Sequence, residues 1–173
     1  NALHSIADDP NDAKKRVQHS IDGLNQAIRD LRSYILDLRP RQLGSEGLMN
    51  GIKRLIAEYR ANTFAEVHFT EPDSDLKELS QAQSLTLFHI CQEALANAAK
   101  HAKAKNVQVA LWTTEDRVLM EIIDDGNGFD PTHVRGNHLG LNIMRERAAE
   151  IGADLNISSF PQKGTKVSVL WTQ

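Results

Sequence analysis

Cysteine is nearly absent from this chain of 173 residues, and its one cysteine, Cys91, has no second thiol with which to form an intrachain disulfide. Cys91 lies in an apolar stretch, where a buried packing role is the ordinary interpretation. Aromatic residues are also scarce, at 5%, so aliphatic side chains must dominate the core. Hydrophobic residues make up 40% of the sequence, close to the average for globular proteins and enough to form a core.

A basic stripe and a long apolar run are missing as well. The net charge is −3 and the basic residues are dispersed, which argues against nucleic acid as a direct partner. No apolar run is long enough to cross a bilayer, and no signal peptide opens the chain. The chain begins with Asn1 rather than methionine, which suggests a fragment. We therefore expect a cytoplasmic domain whose parent is either cytoplasmic or anchored in the inner membrane.

Apolar residues near the start of the chain form a heptad seam. A cap and a first-turn proline, Asp9 and Pro10, precede a helix predicted from Asp12 to Leu38, and Pro40 ends it. The gaps between the seam residues alternate between four and three: Val17, Ile21, Leu24, Ile28, Leu31, Ile35 and Leu38. Such a helix packs either on its own domain or in a dimeric bundle. The regular seam at the edge of the chain favours the dimeric bundle.

The remainder of the chain alternates helices with strands. After a linker, Arg41 to Glu46, the patterns predict helix, strand, helix, strand, strand, helix, strand, strand. The longest of these helices is predicted from near Ser80 to about Lys103. Because the helices interrupt a sheet built mostly from hairpins, we expect an α+β fold, a two-layer α/β sandwich preceded by a long bundle helix. The domains are then a partial dimerisation region, residues 1–40, and a second domain, residues 41–173.

A first glycine-rich loop, Asp124 to Phe129, follows a predicted strand with the pattern Asp-x-Gly-x-Gly. Gly126 and Gly128 would let the backbone bend sharply and approach a ligand closely. The carboxylate of Asp124, at the end of the strand, can accept a hydrogen bond from an exocyclic amine such as that of adenine. Taken alone, this pattern is more often an ordinary turn.

A second glycine cluster, Gly136 to Leu141, directly precedes a predicted helix. Free backbone amides and the helix dipole make such a position suitable for an anion, including a phosphate. The spacing fits neither a Walker loop nor a dinucleotide-binding fingerprint.

Four polar residues of the long helix recur at helical spacing: Glu93, Asn97, Lys100 and His101. They share one face, where asparagine could bind magnesium, the two bases could contact phosphate, and glutamate could act as a base. Alone, this pattern is typical of a solvated helix face.

These three features occur in one order, with Gly164 and Thr165 opening the last strand. Together they resemble the GHKL (Bergerat) ATPase fold of bacterial sensor histidine kinases, and more narrowly the nitrate-sensor-like subfamily. The resemblance covers nearly the whole chain and is carried by four segments: His89–Ala102 (the asparagine box), Asp124–Phe129 and His138–Ala148 (the two glycine boxes), and Leu36–Pro40 with Leu43 (the exit from the dimerisation helices).

The resemblance implies roles for the residues of the long helix. Asn97 would bind Mg²⁺. Glu93 would be catalytic and polarise an attacking histidine or a water, while Lys100 and His101 would lie near the phosphates of ATP.

Roles for the two glycine boxes follow in the same way. Asp124 would hydrogen-bond the adenine amine, Gly126 and Gly128 would shape the pocket, and Thr165 would support adenine through a water. The nucleotide would contact the second box, His138, Leu139, Gly140 and Leu141, with backbone amides of Gly140 and Leu141 on the phosphates. Asp130 to His138 would form a lid over ATP. His138 departs from the glycine of the broader kinase pattern, a change the subfamily tolerates.

A phospho-acceptor motif of the family's form, roughly Glu-Leu-His-Asp, does not occur in the sequence. His4 lacks the following aspartate, and His19 lies off the heptad seam. We therefore expect a protein-histidine kinase portion that binds ATP and Mg²⁺ without autophosphorylating. Its parent would be a homodimer that passes the phosphoryl group to a response regulator with a LuxR-type DNA-binding domain.

Two other hypotheses use the same residues. The fold also serves ATP hydrolysis in chaperone and mismatch-repair relatives and serine phosphorylation in anti-sigma kinases, but the dimerisation helix and the Met-Arg-Glu-Arg-Ala segment disfavour these. A non-catalytic dimerisation module with a degenerate pocket is disfavoured by intact Glu93, Asn97 and Asp124.

Overall fold

A five-stranded sheet packed on helices forms the centre of the computed structural model, which describes residues 12–21, 23–24, 43, 47–72, 79–130 and 139–172. The elements follow the predicted order: α1 (Gly47–Asn62), β1 (Glu66–Thr70), α2 (Gln81–Asn97), a π-helical turn (Ala98–Ala102), β2 (Asn106–Thr113), β3 (Arg117–Asp124), α3 (Leu139–Glu150), β4 (Asp154–Ser159) and β5 (Thr165–Thr172).

The strands lie in the order β1-β2-β3-β5-β4. β1 pairs with β2 in parallel, and the other pairs are antiparallel. This arrangement, with helices covering one face, confirms the predicted α+β sandwich. No helix within the described ranges is both long and apolar enough to span a bilayer.

Residues 12–21 form a helical segment at the start of the described chain, and residues 23–24 are helical as well. Three seam residues are largely exposed on it: Val17, Ile21 and Leu24. The rest of the predicted bundle helix, through Leu38 and Pro40, lies outside the described residues, as does all of the predicted linker except Leu43.

The core lies between the helices and the inner face of the sheet. Met120 in β3 is opposite Leu111 in β2 and Val169 in β5, and all three are fully buried. Since side chains alternate along a strand, the preceding residue, Leu119, points to the outer face beside Trp112 and remains partly exposed. The sheet therefore has a helix-covered face and an open face.

Helix α2 begins as the sequence predicts and ends differently. The Ser80 side chain accepts from the backbone of Gln83, and the Gln83 side chain accepts from the backbone of Ser80, which is a capping box. The α-helical turns end at Asn97, and the π-helical turn continues the helix to Ala102. Lys103, with a φ of 52°, ends the helix. The helix thus reaches Lys103 as predicted, but its last turn is π-helical rather than α-helical.

Truncation of Met120 tests which face of the sheet is the core. Met120→Ala should lower the free energy of unfolding by about 2–5 kcal/mol, because it opens a cavity among fully buried side chains. Leu119→Ala, one residue away on the open face, should lower it by about 1 kcal/mol or less. Urea unfolding followed by circular dichroism measures both values, and equal losses would contradict this assignment of the faces.

Candidate functional site

A cavity of about 550 Å³ lies between α2, α3 and the sheet. Most of the predicted site residues line it: Glu93, Asn97, Lys100, His101, Asp124, Gly128, Gly140, Leu141 and Thr165. We call Ile122, Asp124, Thr165 and Val167 its sheet side, and the residues of α2, the π-helical turn and α3 its helix side. Residues from three separate glycine and polar motifs are thus brought together around one space.

On the helix side, Glu93 fixes the orientation of Asn97. The Asn97 Nδ2 donates to Glu93 Oε1 at 3.2 Å. Because an ionised carboxylate only accepts hydrogen bonds, it selects the NH₂ end of the amide and leaves Asn97 Oδ1 available to other partners. Lys100 and His101 follow on the π-helical turn, a geometry that recurs at functional sites.

The start of α3 lies directly against Glu93. A Cβ added at Gly140 would lie 1.9 Å from Glu93 Oε1, so a side chain at this position would displace the Glu93 carboxylate. Leu141 and the buried Met144 extend this wall of the cavity. Leu139 begins α3, whereas His138 and the predicted lid beyond Asp130 lie outside the described residues.

Asp124 is the buried carboxylate of the sheet side, with 8% of its surface exposed. Its Oδ1 accepts from the backbone N–H of Gly126 at 2.9 Å. Burial raises the pKa of Asp124, and the charge of Asp125 acts in the same direction, while hydrogen bonds from the backbones of Gly126 and Thr165 and from the Thr165 side chain partly offset the rise.

Asp125, the next residue, points away from the cavity and binds the start of β2. Its Oδ1 accepts from the backbone N–H groups of Lys105 and Asn106 at 2.7 and 2.9 Å, and its Oδ2 accepts from Asn106 Nδ2 at 2.7 Å. These bonds, chiefly the one from the Asn106 backbone, lower the pKa of the exposed Asp125 carboxyl.

Three glycines allow backbone segments around Asp124 to meet. A Cβ added at Gly126 would lie 2.3 Å from the Ala102 carbonyl oxygen. A Cβ added at Gly128 would lie 2.1 Å from the Phe160 carbonyl oxygen, and one added at Gly164 would lie 1.9 Å from the Asp124 carbonyl oxygen. Gly128 and Gly164 also have positive φ. Gly126 therefore packs the first glycine loop on the π-helical turn rather than lining the cavity, a different contact from the pocket-shaping role predicted for it.

Sequence reasoning missed the apolar walls and one buried hydroxyl. The walls are Ala94, Ala98, Ala102, Ile122, Phe129, Met144 and Val167. The alternation of apolar residues along the strands could have identified Ile122 and Val167 as wall residues, because they share the face of Asp124 and are paired in register. Ser159 is 2% exposed, and its Oγ accepts from the backbone N–H of Phe129 at 2.9 Å. Only the strand register reveals it.

The two neighbouring carboxylates predict opposite pH dependences. Because the pKa of Asp124 is raised, its contribution to stability is fully present below its unfolded pKa and is lost as the pH rises through the raised value. The contribution of Asp125, whose pKa is lowered, is present above its unfolded pKa and is lost as the pH falls through the lowered value.

As the pH rises above about 4, Asp124→Asn should therefore gain stability relative to the unsubstituted chain. As the pH rises toward about 4 from below, Asp125→Asn should lose stability relative to that chain, by less than about 1 kcal/mol because the group is exposed and screened. Urea unfolding at a series of pH values measures both differences. Shifts of the same sign in the two variants would contradict the analysis.

Comparisons with known proteins agree with the geometry of the cavity. Residues 82–173 match the family described as histidine kinase-, DNA gyrase B-, and HSP90-like ATPase. The chain is 32% identical over 167 residues to the sensor histidine kinase LiaS of Bacillus subtilis, which covers 96% of this chain and 46% of LiaS. It is 37% identical over 161 residues to the histidine-protein kinase/phosphatase UhpB of Salmonella typhimurium, which covers 92% of this chain and 31% of UhpB. The chain thus spans less than half the length of these relatives.

Solved structures share the fold. The histidine kinase domain of the Erythrobacter litoralis EL346 blue-light activated histidine kinase has a TM-score of 0.62 at 19% identity, with 91% of this chain and 81% of that one covered. The mycobacterial sensor histidine kinase MprB has a TM-score of 0.55 at 20% identity, with 73% and 94% covered. The family match includes every described residue that lines the cavity. The chain therefore belongs to the histidine kinase-, DNA gyrase B- and HSP90-like ATPase family, and the cavity lies in its ATP-binding domain.

Proposed function

We propose that this chain is the ATP-binding catalytic portion of a sensor histidine kinase, which transfers the γ-phosphoryl group of ATP to a histidine and then to an aspartate of a response regulator. One observation carries the proposal. A single cavity combines a buried carboxylate on its sheet side with an amide, basic side chains and the start of a helix on its helix side. That combination suits a nucleotide, which has a hydrogen-bonding base and a charged phosphate tail.

The sheet side would hold adenine. A carboxylate has about four acceptor positions. Asp124 Oδ1 accepts from the Gly126 backbone, and Thr165 lies directly opposite and lowers the pKa of the carboxyl. A remaining position would accept from the exocyclic amine of adenine. Ile122 and Val167 would lie against the ring, and Thr165 would reach it through a water.

The helix side would hold the phosphates. Gly140 and Leu141 lie in the first turn of α3, where backbone N–H groups have no partner within the helix and favour an anion. We propose that His138 and Leu139 complete this contact and that residues 130–138 cover the nucleotide. The cationic side chain of Lys100 and the imidazole of His101 would lie beside the phosphate oxygens.

The donor set fits Mg²⁺ bound between protein and phosphates. In the described part of the chain, no three His, Cys, Asp or Glu side chains cluster as a metal site. Magnesium does not require such a cluster, because it keeps several waters and takes few protein ligands besides phosphate. Asn97 Oδ1, left available by the bond from Nδ2 to Glu93, would hold it. When bound, the ion would neutralise charge on the phosphate oxygens.

Glu93 would act on the incoming nucleophile. One imidazole nitrogen of the acceptor histidine would attack the γ-phosphorus as the bond to the bridging oxygen breaks, and ADP would leave with the electron pair. Glu93 would accept the proton on the other imidazole nitrogen. Its place against the first turn of α3 supports this role, because the carboxylate lies beside the proposed phosphate site.

Nucleotide titration tests the proposal. The chain should bind a non-hydrolysable ATP analogue in isothermal titration, more tightly with Mg²⁺. Asp124→Asn should weaken binding at least roughly tenfold, because an amide donor would face the adenine amine. Asn97→Ala should remove the gain from Mg²⁺, and Asn142→Ala, exposed on α3, serves as the matched control. Saturable binding that Asp124→Asn leaves unchanged would exclude the proposed base site.

The acceptor histidine is, we propose, not one of this chain's own. His19 lies exposed on the helical segment of residues 12–21, without the family's acceptor motif, and His4 lies outside the described residues. Incubation with ATP and Mg²⁺ should therefore leave the chain without phosphohistidine, as mapped by mass spectrometry. Phosphate on either histidine, removed by substitution of that residue, would show that the chain carries its own acceptor.

We also propose that the heptad seam pairs two copies of the kinase. The seam side chains are largely exposed to solvent: Val17 55%, Ile21 44% and Leu24 64%. A row of exposed apolar side chains is typical of a surface that packs against a partner. Sedimentation of the chain should show a dimer that strengthens with concentration. Ile21→Glu should dissociate it, whereas His19→Glu, on the opposite side of the helix, should not. A monomer at high micromolar concentration would show that this seam alone is insufficient.

The nitrate-sensor-like subfamily and a response regulator with a LuxR-type DNA-binding domain complete the proposal. The Met-Arg-Glu-Arg-Ala tail of the second glycine box supports both, and it lies within α3. We propose that this portion works in the cytoplasm, where ATP is available. Phosphotransfer from an intact kinase that contains this domain should be faster to regulators of the LuxR type than to other classes. The reverse order would exclude this partner.

A further inference from the structure

Three polar side chains form a row across the sheet at the edge of the cavity. Asp124 in β3 is opposite Thr165 in β5, and Thr165 is opposite Ser159 in β4. Residues directly opposite one another in antiparallel strands point to the same face and contact each other. Asp124 and Thr165 line the cavity, whereas Ser159 lies behind them and is 2% exposed.

Ser159 has one hydroxyl and three neighbours. Its Oγ accepts from the backbone N–H of Phe129 at 2.9 Å, lies 3.0 Å from Thr165 Oγ1, and lies 3.0 Å from the Gly164 carbonyl oxygen. One lone pair of Ser159 Oγ is therefore occupied by the Phe129 N–H. The single proton of Ser159 is then directed toward Thr165 Oγ1 and the Gly164 carbonyl.

The direction of the hydrogen bonds follows from Asp124. Thr165 lies directly opposite Asp124 in the neighbouring strand, and its hydroxyl lowers the pKa of that carboxyl. Because a carboxylate accepts more strongly than a neutral hydroxyl, the Thr165 proton is directed to Asp124 rather than to Ser159. Thr165 Oγ1 then accepts from Ser159. The chain of donors runs from the Phe129 backbone to Ser159, to Thr165 and to Asp124, and each bond polarises the next.

We propose that Ser159 is a positioning residue for base recognition, which acts through Thr165 to hold the Asp124 carboxylate with one acceptor position facing the amine of the base. The inference rests on the proposed adenine site and adds a residue that does not itself touch the nucleotide. It also links the first glycine loop to that site, since the same hydroxyl holds the backbone of Phe129.

The affinities for two nucleotides distinguish a positioning role of Ser159 from a general packing role. ADP carries the exocyclic amine, and purine riboside 5′-diphosphate is the same molecule without it. In Ser159→Ala the affinity for ADP should fall roughly tenfold, the equivalent of one net hydrogen bond. The affinity for the amine-free nucleotide should change by no more than about twofold. Ser158→Ala, exposed on the same strand and on the other face, is the matched control.

A double-mutant cycle tests the route through Thr165. Thr165→Val should lose the same preference for the amine as Ser159→Ala, and the double variant should lose little more than either single variant, because all three break one chain of hydrogen bonds. Thr165→Ser keeps the hydroxyl and should retain the preference. If Ser159→Ala does not fold, as judged by urea unfolding, Thr165→Val and Thr165→Ser carry the same comparison.

Equal losses for the two nucleotides in Ser159→Ala would overturn the inference, since they would show a structural role only. Additive losses in the double variant would overturn it as well. An unsubstituted chain that binds both nucleotides equally would instead overturn the proposed adenine contact of Asp124, and the inference with it. The preference of the unsubstituted chain therefore distinguishes the two failures.

Discussion

Backbone segments meet around Asp124 with no room for side chains between them, and the site depends on this close approach. The first glycine loop lies on the π-helical turn at Gly126 and on the β4–β5 connection at Gly128, while Gly164 lies on the carbonyl of Asp124 itself. Backbone hydrogen bonds reinforce these contacts, from Asn127 to Ala102 at 2.7 Å and from Gln162 to Asn127 at 2.5 Å. The end of β3 is therefore held from two sides, and the carboxylate is buried as a consequence.

Two adjacent carboxylates have opposite environments because a strand alternates its faces. Asp124 ends on the inner face, where desolvation raises its pKa, and Asp125 turns outward to accept bonds from the start of β2, which lower its pKa. The buried group borders the cavity, where we propose that it recognises the base, and the exposed group secures the loop that carries it. Securing the loop and facing the cavity are thus separate tasks of neighbouring residues.

Periodicity and turn chemistry predicted the elements because those signals are local. The order of the helices and strands and the start of α2 near Ser80 could be predicted in this way. The prediction that the motifs lie around one cavity came from the resemblance to a family rather than from the spacing of the residues. The π-helical turn was not predicted from local periodicity, and its contact with the first glycine loop at Gly126 joins segments that are distant in the sequence. Ser159 was missed because its importance arises from register across three strands, which a linear pattern does not contain.

The contacts of Gly128 bear on how inherited variants of such a protein would be interpreted. An added side chain there meets the Phe160 carbonyl, which belongs to the β4–β5 connection, and it also meets the carbonyl of Gly164. A loss-of-function allele at this position would therefore report a displaced connection rather than a missing ligand contact, even though the residue borders the cavity. A second-site suppressor of such an allele would be sought among residues 160–164, and not among the groups that we propose to contact the nucleotide.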